Sequence, residues 1–429
     1  MQEMGRKSTK LQEIHEVFSK YGIDVIENIE IDALIELRNT LDSLEDKRFE
    51  PYVEHLLSDI VMIAIIGVMA NADEWCEIAD FAELKQEWFS TFLRLPNGIP
   101  SHDTIQRVIS SLDSTVLYSL CLQFLMERMN RIHAVLYKPE TTEYTVDIIA
   151  IDGKTSKGSK RSKADREAVK SMHTVSAYST ENGMCLSQIS VEEKTNEIPA
   201  VQDLIDMTEI RNCVLTWDAL NTQKDTVSAV IRKKGDYVGA LKGNHSNFYE
   251  DVKLYFDRES AEIMQMSEHY TKTVDKEQSA IVTREYLLTQ DIDWLSNKKD
   301  WAGLKSIGLV RKTVEKQNGE TNTEERYYIA SIKDIDLYAK SVRSHWRVEN
   351  SLHWQLDYTF KDDRNTTMEQ NGAKNLQIIK KVVLAILSLV KPIFDGKSLK
   401  GIRFITALSF EKYIEIIFKS INFNTLASM

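Results

Sequence analysis

YTVDIIAIDG at Tyr144–Gly153, HTVSAYST at His173–Thr180 and MCLSQISVEEK at Met184–Lys194 are dense in β-branched and aromatic residues, and the turn signal ENG separates the last two. They read as a strand followed by a hairpin, because such side chains pack well on a pleated surface. Downstream, IPAVQDLIDMTEI has a helical period, NCVLTWD reads as a strand, residues 222–233 as a helix and DYVGALKG as a further strand. The expected order is three strands, helix, strand, helix, strand.

That is the order of an RNase H-like core, with the middle strands antiparallel and the later ones parallel to the first. In that architecture Asp152 closes the first strand and Asp218 closes the fourth, so the two carboxylates face each other at one edge of the sheet. Before the core, residues 1–135 read as all-α: LQEIHEVFSKY, IDALIELRNTL and YVEHLLSDIVMIAIIGVMA repeat apolar residues at helical spacing. Within them LPNGIPSHDTIQRVISSLD is a loop and a helix start, with Ser101 or Asp103 as N-cap and Ile105, Val108, Ile109 and Leu112 along one face. A helix opened this way resembles a piece of a helix-turn-helix, which makes it a candidate DNA contact as well as an ordinary packed helix. After the core strands, HYTKTVDK, AIVTREYLLT, SIGLVRKTVEK and EERYYIASI alternate as strands and define a β-rich insertion at 244–331. The helical pattern resumes at IDLYAKSVRSHWRVENSLHWQL. The expected fold is thus a multidomain α/β protein: an all-α N-terminal domain, an RNase H-like core from 140–243 and 332–429, and the insertion between its halves.

With 429 residues, 42% of them hydrophobic, the chain is long enough for two or three domains with real cores. Cys76, Cys121, Cys185 and Cys213 form no CxxC or Cys/His cluster, so neither a zinc site nor a disulfide framework is suggested and a reducing cytoplasm fits best. The amino terminus, MQEMGRKSTKLQEIHEVF, has no apolar h-region. IVMIAIIGVMA at Ile60–Ala70 and VVLAILSLV at Val382–Val390 are too short to span a bilayer and read as buried helices. A net charge of −11 excludes a histone-like coating protein but not a local positive stripe. One candidate stripe holds Lys154, Lys157, Lys160, Arg161, Lys163, Arg166 and Lys170. A second holds Lys374, Lys380, Lys381, Lys391, Lys397, Lys400 and Arg403. Either can equally be a solvated face.

Three acids stand out: Asp152 in IAIDGKTSKGS, Asp218 in VLTWDALNTQ and Glu349 in RSHWRVENSLHWQLD. Taken singly, a strand-end aspartate is often a turn or cap residue. Glu349 shares intervals of four with His345, His353 and Asp357, which puts all four on one helix face, beside a stripe of Trp346, Trp354 and Tyr358 expected to be buried. HWRVENSLH lacks the glutamate directly after the first histidine that a HExxH zinc site requires. Three converging carboxylates instead suit divalent metal ions and phosphodiester chemistry, since hard cations prefer oxygen ligands.

Together, IAIDGKTSKGS, HTVSAYS, WDALNTQ, DYVGALKGNH, RYYIASI, RSHWRVENSLHWQLDYTFKDD and AKNLQIIKKVVLAIL resemble the H-repeat-associated (ISAs-type) family of bacterial insertion-sequence DDE transposases, over nearly the whole chain from about residue 15. The resemblance implies a DDE triad of Asp152, Asp218 and Glu349, two Mg2+ ions with Mn2+ able to substitute, and cleavage of the element's ends followed by strand transfer into target DNA. It implies two copies to pair two DNA ends, a homodimer in the synaptic complex, and a bacterial cytoplasmic protein associated with the nucleoid when on DNA. Lys154, Lys157 and Lys242 would contact phosphates. Many related transposases carry an arginine four positions before the third acid and a lysine seven after it; here those positions are His345 and Leu356. The phosphate role then falls on Arg343, His345 or Arg347, with His353 as further support. Trp294 and Trp301 are candidates to stack on a flipped base or to pack in the insertion. The alternatives are a transposase-derived DNA-binding protein without catalysis and a stand-alone RNase H-like nuclease.

Overall fold

The structure, a computed structural model, describes residues 32–136, 146–156, 172–191, 197–277, 280–367, 369–394 and 396–421. The LQEIHEVFSKY segment and the lysines and arginines of Lys157–Lys170 lie outside them. The chain divides into two compact units, one of Met1–Glu143, Ser156–Ser171 and Trp354–Met429, the other of Tyr144–Thr155 and Met172–His353.

The described part of the first unit is all helix. Its amino-terminal half has α1 (Asp32–Leu41), α2 (Leu57–Met69), α3 (Trp75–Leu84), α4 (Gln86–Phe89), α5 (His102–Ser110) and α6 (Ser114–Leu136). Its carboxy-terminal half has α11 (Trp354–Tyr358), α12 (Gln370–Val390), α13 (Leu399–Leu408) and α14 (Phe410–Ile421). Every residue of α2 is buried, as a helix apolar on all sides requires. Ser101 caps α5 by accepting from the Thr104 N–H, and Ile105, Val108 and Ile109 are its buried face. The second basic set does not form a positive stripe. Lys380, Lys381 and Arg403 are buried, and Arg403 pairs with the buried Asp73 at 2.6 Å while donating to the carbonyls of Val68 and Thr359. A guanidinium sequestered in this way is a packing element, because a buried charge needs partners at every turn.

The second unit is built on one nine-stranded sheet in the order β3-β2-β1-β4-β5-β9-β8-β7-β6. The strands are β1 (Ile148–Ser156), β2 (Met172–Ser179), β3 (Met184–Val191), β4 (Val214–Trp217), β5 (Asp236–Leu241), β6 (Tyr270–Glu277), β7 (Ala280–Thr289), β8 (Ser306–Lys316) and β9 (Thr321–Ala330). β1, β4 and β5 run parallel, joined by α7 (Glu197–Met207) and α8 (Lys224–Arg232), while β2 and β3 form the antiparallel hairpin. The segment expected as a separate β-rich module instead continues this sheet: β9 pairs antiparallel with β5, and β8, β7 and β6 follow. The physical reason is the free edge of β5, whose backbone groups need partners.

Alternation along the strands sorts the two faces. Ile149, Ile151, Leu215, Trp217 and Tyr237 share a core with α7, α8 and α9 (Ser246–Ile263). Ile148, Val214 and Val238 face the other way and join Tyr338 and Val342 of α10 (Ile335–Arg347). Burying each such aliphatic side chain contributes about 1.5–3 kcal/mol. Two steps along from Ala150 and Thr216, Asp152 and Asp218 fall on the α10 face.

Candidate active site

β1 pairs with β4 from Ile148↔Val214 to Ala150↔Thr216, and continuing that register sets Asp152 opposite Asp218. Asp152 does not close its strand, as the sequence led us to expect. β1 runs on to Ser156, whereas β4 stops at Trp217 and the chain turns away at Asp218. β1 thus outlasts its partner. The turn is held by the Asp218 Oδ1 oxygen, which accepts from the Asn221 N–H at 3.2 Å and from its Nδ2 at 3.1 Å. Trp217, an odd neighbour for such an acid, is fully buried, stacks on Tyr237 and donates to the Thr222 hydroxyl at 3.1 Å.

Glu349 does not sit in a continuous α-helix. After α10 the backbone widens into a π-helical segment, Val348–His353, before α11. Val348 and Leu352 are its buried anchors. Fastenings to the β2–β3 hairpin fix the helix: Arg347 donates to the Thr180 carbonyl at 3.3 Å and Lys340 pairs with Glu181 at 3.0 Å. The expected buried stripe is a correction. Trp346, Trp354 and Tyr358 are 37%, 51% and 52% exposed, and the ring of Trp346 carries the Arg326 guanidinium at 4.6 Å while Trp354 stacks on Tyr358. Stacking on one another and on cations satisfies these faces without burial.

Burial pushes the Asp152 carboxyl up to about 7, opposed by the Gly153 N–H and reinforced by the charges of Glu349, Asp218 and Glu197. His353 Nδ1 lies 3.4 Å from Asp152 Oδ2. Among the described residues, no three His, Cys, Asp or Glu side chains are already grouped as a cage for a metal ion. A cleft of about 370 Å³ beside Asp218 is lined by Lys242, Arg326, Tyr327, His345 and Trp346. Arg326 and Trp346 also line a second cleft, of about 490 Å³, with Lys312, Arg343, Arg347 and Asn350.

The other sequence candidates are placed unevenly. Lys242 is exposed on the cleft, whereas Lys154 is buried in β1. Arg343 is exposed but paired with Glu277 at 3.3 Å and Asp275 at 3.7 Å. Burial, with the charge of Arg326, pushes the His345 ring down to about 4 against a hydrogen bond to the Thr216 carbonyl, so it is neutral near pH 7. Lys157 is outside the described residues. Trp301 is core, packed on Phe248 and His245, and Trp294 is stacked on Tyr255 at 5.0 Å. Sequence reading passed over Glu197, His173 and Asn221, all buried beside the two aspartates. The one signal was an asparagine three residues after Asp218.

Comparison with known proteins follows this geometry. Residues 38–125 match the DDE_Tnp_1-associated family and residues 144–386 the transposase DDE domain. The "Putative transposase YncI" of Escherichia coli O157:H7 is 34% identical over 377 residues, 85% of this chain and 89% of that protein. The "H repeat-associated putative transposase YhhI" of Escherichia coli K12 is 30% identical over 361 residues, 83% of this chain and 91% of that one. A solved piggyBac transposase synaptic complex with hairpin DNA aligns at a TM-score of 0.34 and 13% identity, covering 100% of this chain and 85% of that chain, too distant to bear on the fold. A mixed α/β protein with a DDE domain falls in the class of transposases. The chain belongs to the H-repeat-associated family of DDE transposases.

Proposed function

We propose that the protein cuts the ends of its own insertion sequence and joins them to target DNA, with Asp152, Asp218 and Glu349 as the metal-holding triad of an RNase H-like core. The observation that carries this reading is the convergence on Asp152 of acids far apart in sequence: the β1–β4 register sets Asp218 opposite it, and the charges of Glu349, in the π segment, and of Asp218 repel its carboxylate. A donor set of carboxylates without thiolates fits a hard divalent cation, and a bound cation relieves that repulsion. Mg2+, with Mn2+ as substitute, would supply an activated water and stabilise charge on the phosphate. The strand order 3-2-1-4-5 supports the RNase H-like assignment.

In this reading the chain's own residues orient and bind. His353 steadies Asp152 and Asn221 steadies Asp218. Lys242 and Arg326 line the cleft where a phosphate backbone would run, and Trp346 offers a ring face already matched to a cation. The neighbouring cleft, where Arg284, Lys312, Arg326, Arg343 and Arg347 outnumber Glu277 and Glu324, is a local basic surface that reconciles DNA binding with the chain's acidity. The amino-terminal helices, within 1–135, are proposed to recognise the DNA ends, and a homodimer to pair them. Among the described residues no single helix is long and apolar enough to cross a membrane.

A strand-transfer assay with Mg2+ and the DNA flanking the gene tests this. Asp152→Ala, Asp218→Ala and Glu349→Ala should each lower product formation about a thousandfold or more, since several kcal/mol of transition-state stabilisation are removed. Undiminished activity in any one of them rejects the triad. DNA bound but uncut by the wild type favours a transposase-derived DNA-binding protein.

A further inference from the structure

Behind the two aspartates lies a buried polar chain that none of the triad's roles requires. Glu197, the first residue of α7, is a buried carboxylate. Such a group is costly unless both oxygens are hydrogen-bonded. Here Oε2 meets His173 Nε2 at 3.2 Å and Oε1 accepts from Asn221 Nδ2 at 2.8 Å. His173 Nδ1 is 2.8 Å from the Thr155 hydroxyl, so a hydroxyl donating to Nδ1 leaves the Nε2 hydrogen for Glu197. The same Asn221 nitrogen donates to Asp218 Oδ1 at 3.1 Å. Both amide hydrogens are thereby spent on two carboxylates, and a flipped amide would set its oxygen against both. Gly153, next to Asp152, completes the packing: a Cβ there would lie 2.6 Å from His173 Nε2 and 3.0 Å from Glu197 Oε2.

We propose that Asn221 and Glu197 are positioning residues for the acidic triad, Asn221 fixing the plane of the Asp218 carboxylate and Glu197 fixing Asn221 from behind. The inference rests on the metal-dependent reading of the triad. Two donors from one residue converge on Asp218 Oδ1, which sets the direction in which the other oxygen lies. Glu197 is itself engaged by His173 and Asn221, so its part is to orient and not to bind. Partners of this kind behind a metal ligand alter metal affinity or activity about 10–100-fold when removed.

The test is Mn2+ binding measured by electron paramagnetic resonance on the full-length protein, alongside thermal melting and DNA affinity, for wild type, Asn221→Ala, Glu197→Gln and Asp218→Ala. We expect Asn221→Ala and Glu197→Gln to weaken Mn2+ binding about 10–100-fold while DNA affinity holds. A purely structural role would lower the melting temperature yet leave the folded protein's Mn2+ affinity unchanged. Wild-type Mn2+ affinity in both variants, with loss only in Asp218→Ala, overturns the positioning role and leaves the triad intact. A wild type that binds no Mn2+, or an Asp218→Ala protein that binds as well, overturns both. Should Asn221→Ala fail to fold, the near-isosteric Glu197→Gln decides.

Discussion

His345 lies four residues before Glu349, and its surroundings make it a neutral group. Burial and Arg326 hold its ring near 4, against an ordinary value of 6.5. The folded protein therefore binds this proton less tightly than the unfolded chain. Its contribution to stability is complete above about pH 6.5 and is lost as pH falls toward 4. Comparing unfolding of wild type and His345→Gln, the stability difference should shift by about 3 kcal/mol between pH 7 and pH 4; a flat difference would show that the ring protonates freely. The type of residue was legible in the sequence and its charge state was not, because that depends on burial and on Arg326, which arrives on β9 through long-range pairing. The same limit applies to Lys154, whose exposure no local pattern reports, and to Glu197, which sits in the polar run EEKTNEI and looks like a first-turn helix residue. Asp152 and Asp218 were easier, since each follows an apolar run long enough to be a strand.

At the scale of elements, period and composition carried the parallel strands β1, β4 and β5, their two helices and the β2–β3 hairpin, because apolar alternation and turn chemistry are local properties. The π segment was not readable: a four-residue recurrence of His345, Glu349 and His353 fits an α-helix on paper, as does the buried pair Val348 and Leu352, and the wider turn shows only in the backbone. How β6–β9 attach was equally hidden, since pairing of β9 with β5 is a long-range event. One contact makes the joint with α10 specific. Gly308 in β8 lets the Tyr338 ring rest directly on the strand, and a Cβ at that position would stand 2.3 Å from its hydroxyl oxygen. Gly308→Ala should therefore cost about 1–3 kcal/mol through overpacking. Calorimetry would record this as a melting temperature lowered by about 2–4 °C per kcal/mol, and an unchanged melt would mean that Tyr338 moves aside freely.

For the molecule as a whole, the helical unit depends on a charge that its sequence advertises as surface. Arg403 is buried, with Asp73 as its ion partner and the Val68 and Thr359 carbonyls as further acceptors. Arg403→Ala should destabilise by about 3–5 kcal/mol in urea unfolding, because it leaves the buried Asp73 carboxylate with only the half-exposed Lys361 as ion partner; replacing Asp73 and Arg403 together by apolar residues should recover much of that loss. A double variant as unstable as the single one would place the cost in lost packing. The sheet of the other unit poses the opposite problem, that of stopping. Nine strands in one ribbon still end at β6, with no strand beyond it among the described residues. There the sequence YTKTVDKE keeps Lys272 and Lys276 exposed, while Asp275 and Glu277 are tied to Arg284 and Arg343. A second molecule trying to extend the ribbon would have to bring like charges together in the same row. The charged margin at β6 thus discourages copies of this chain from joining sheet to sheet along that edge.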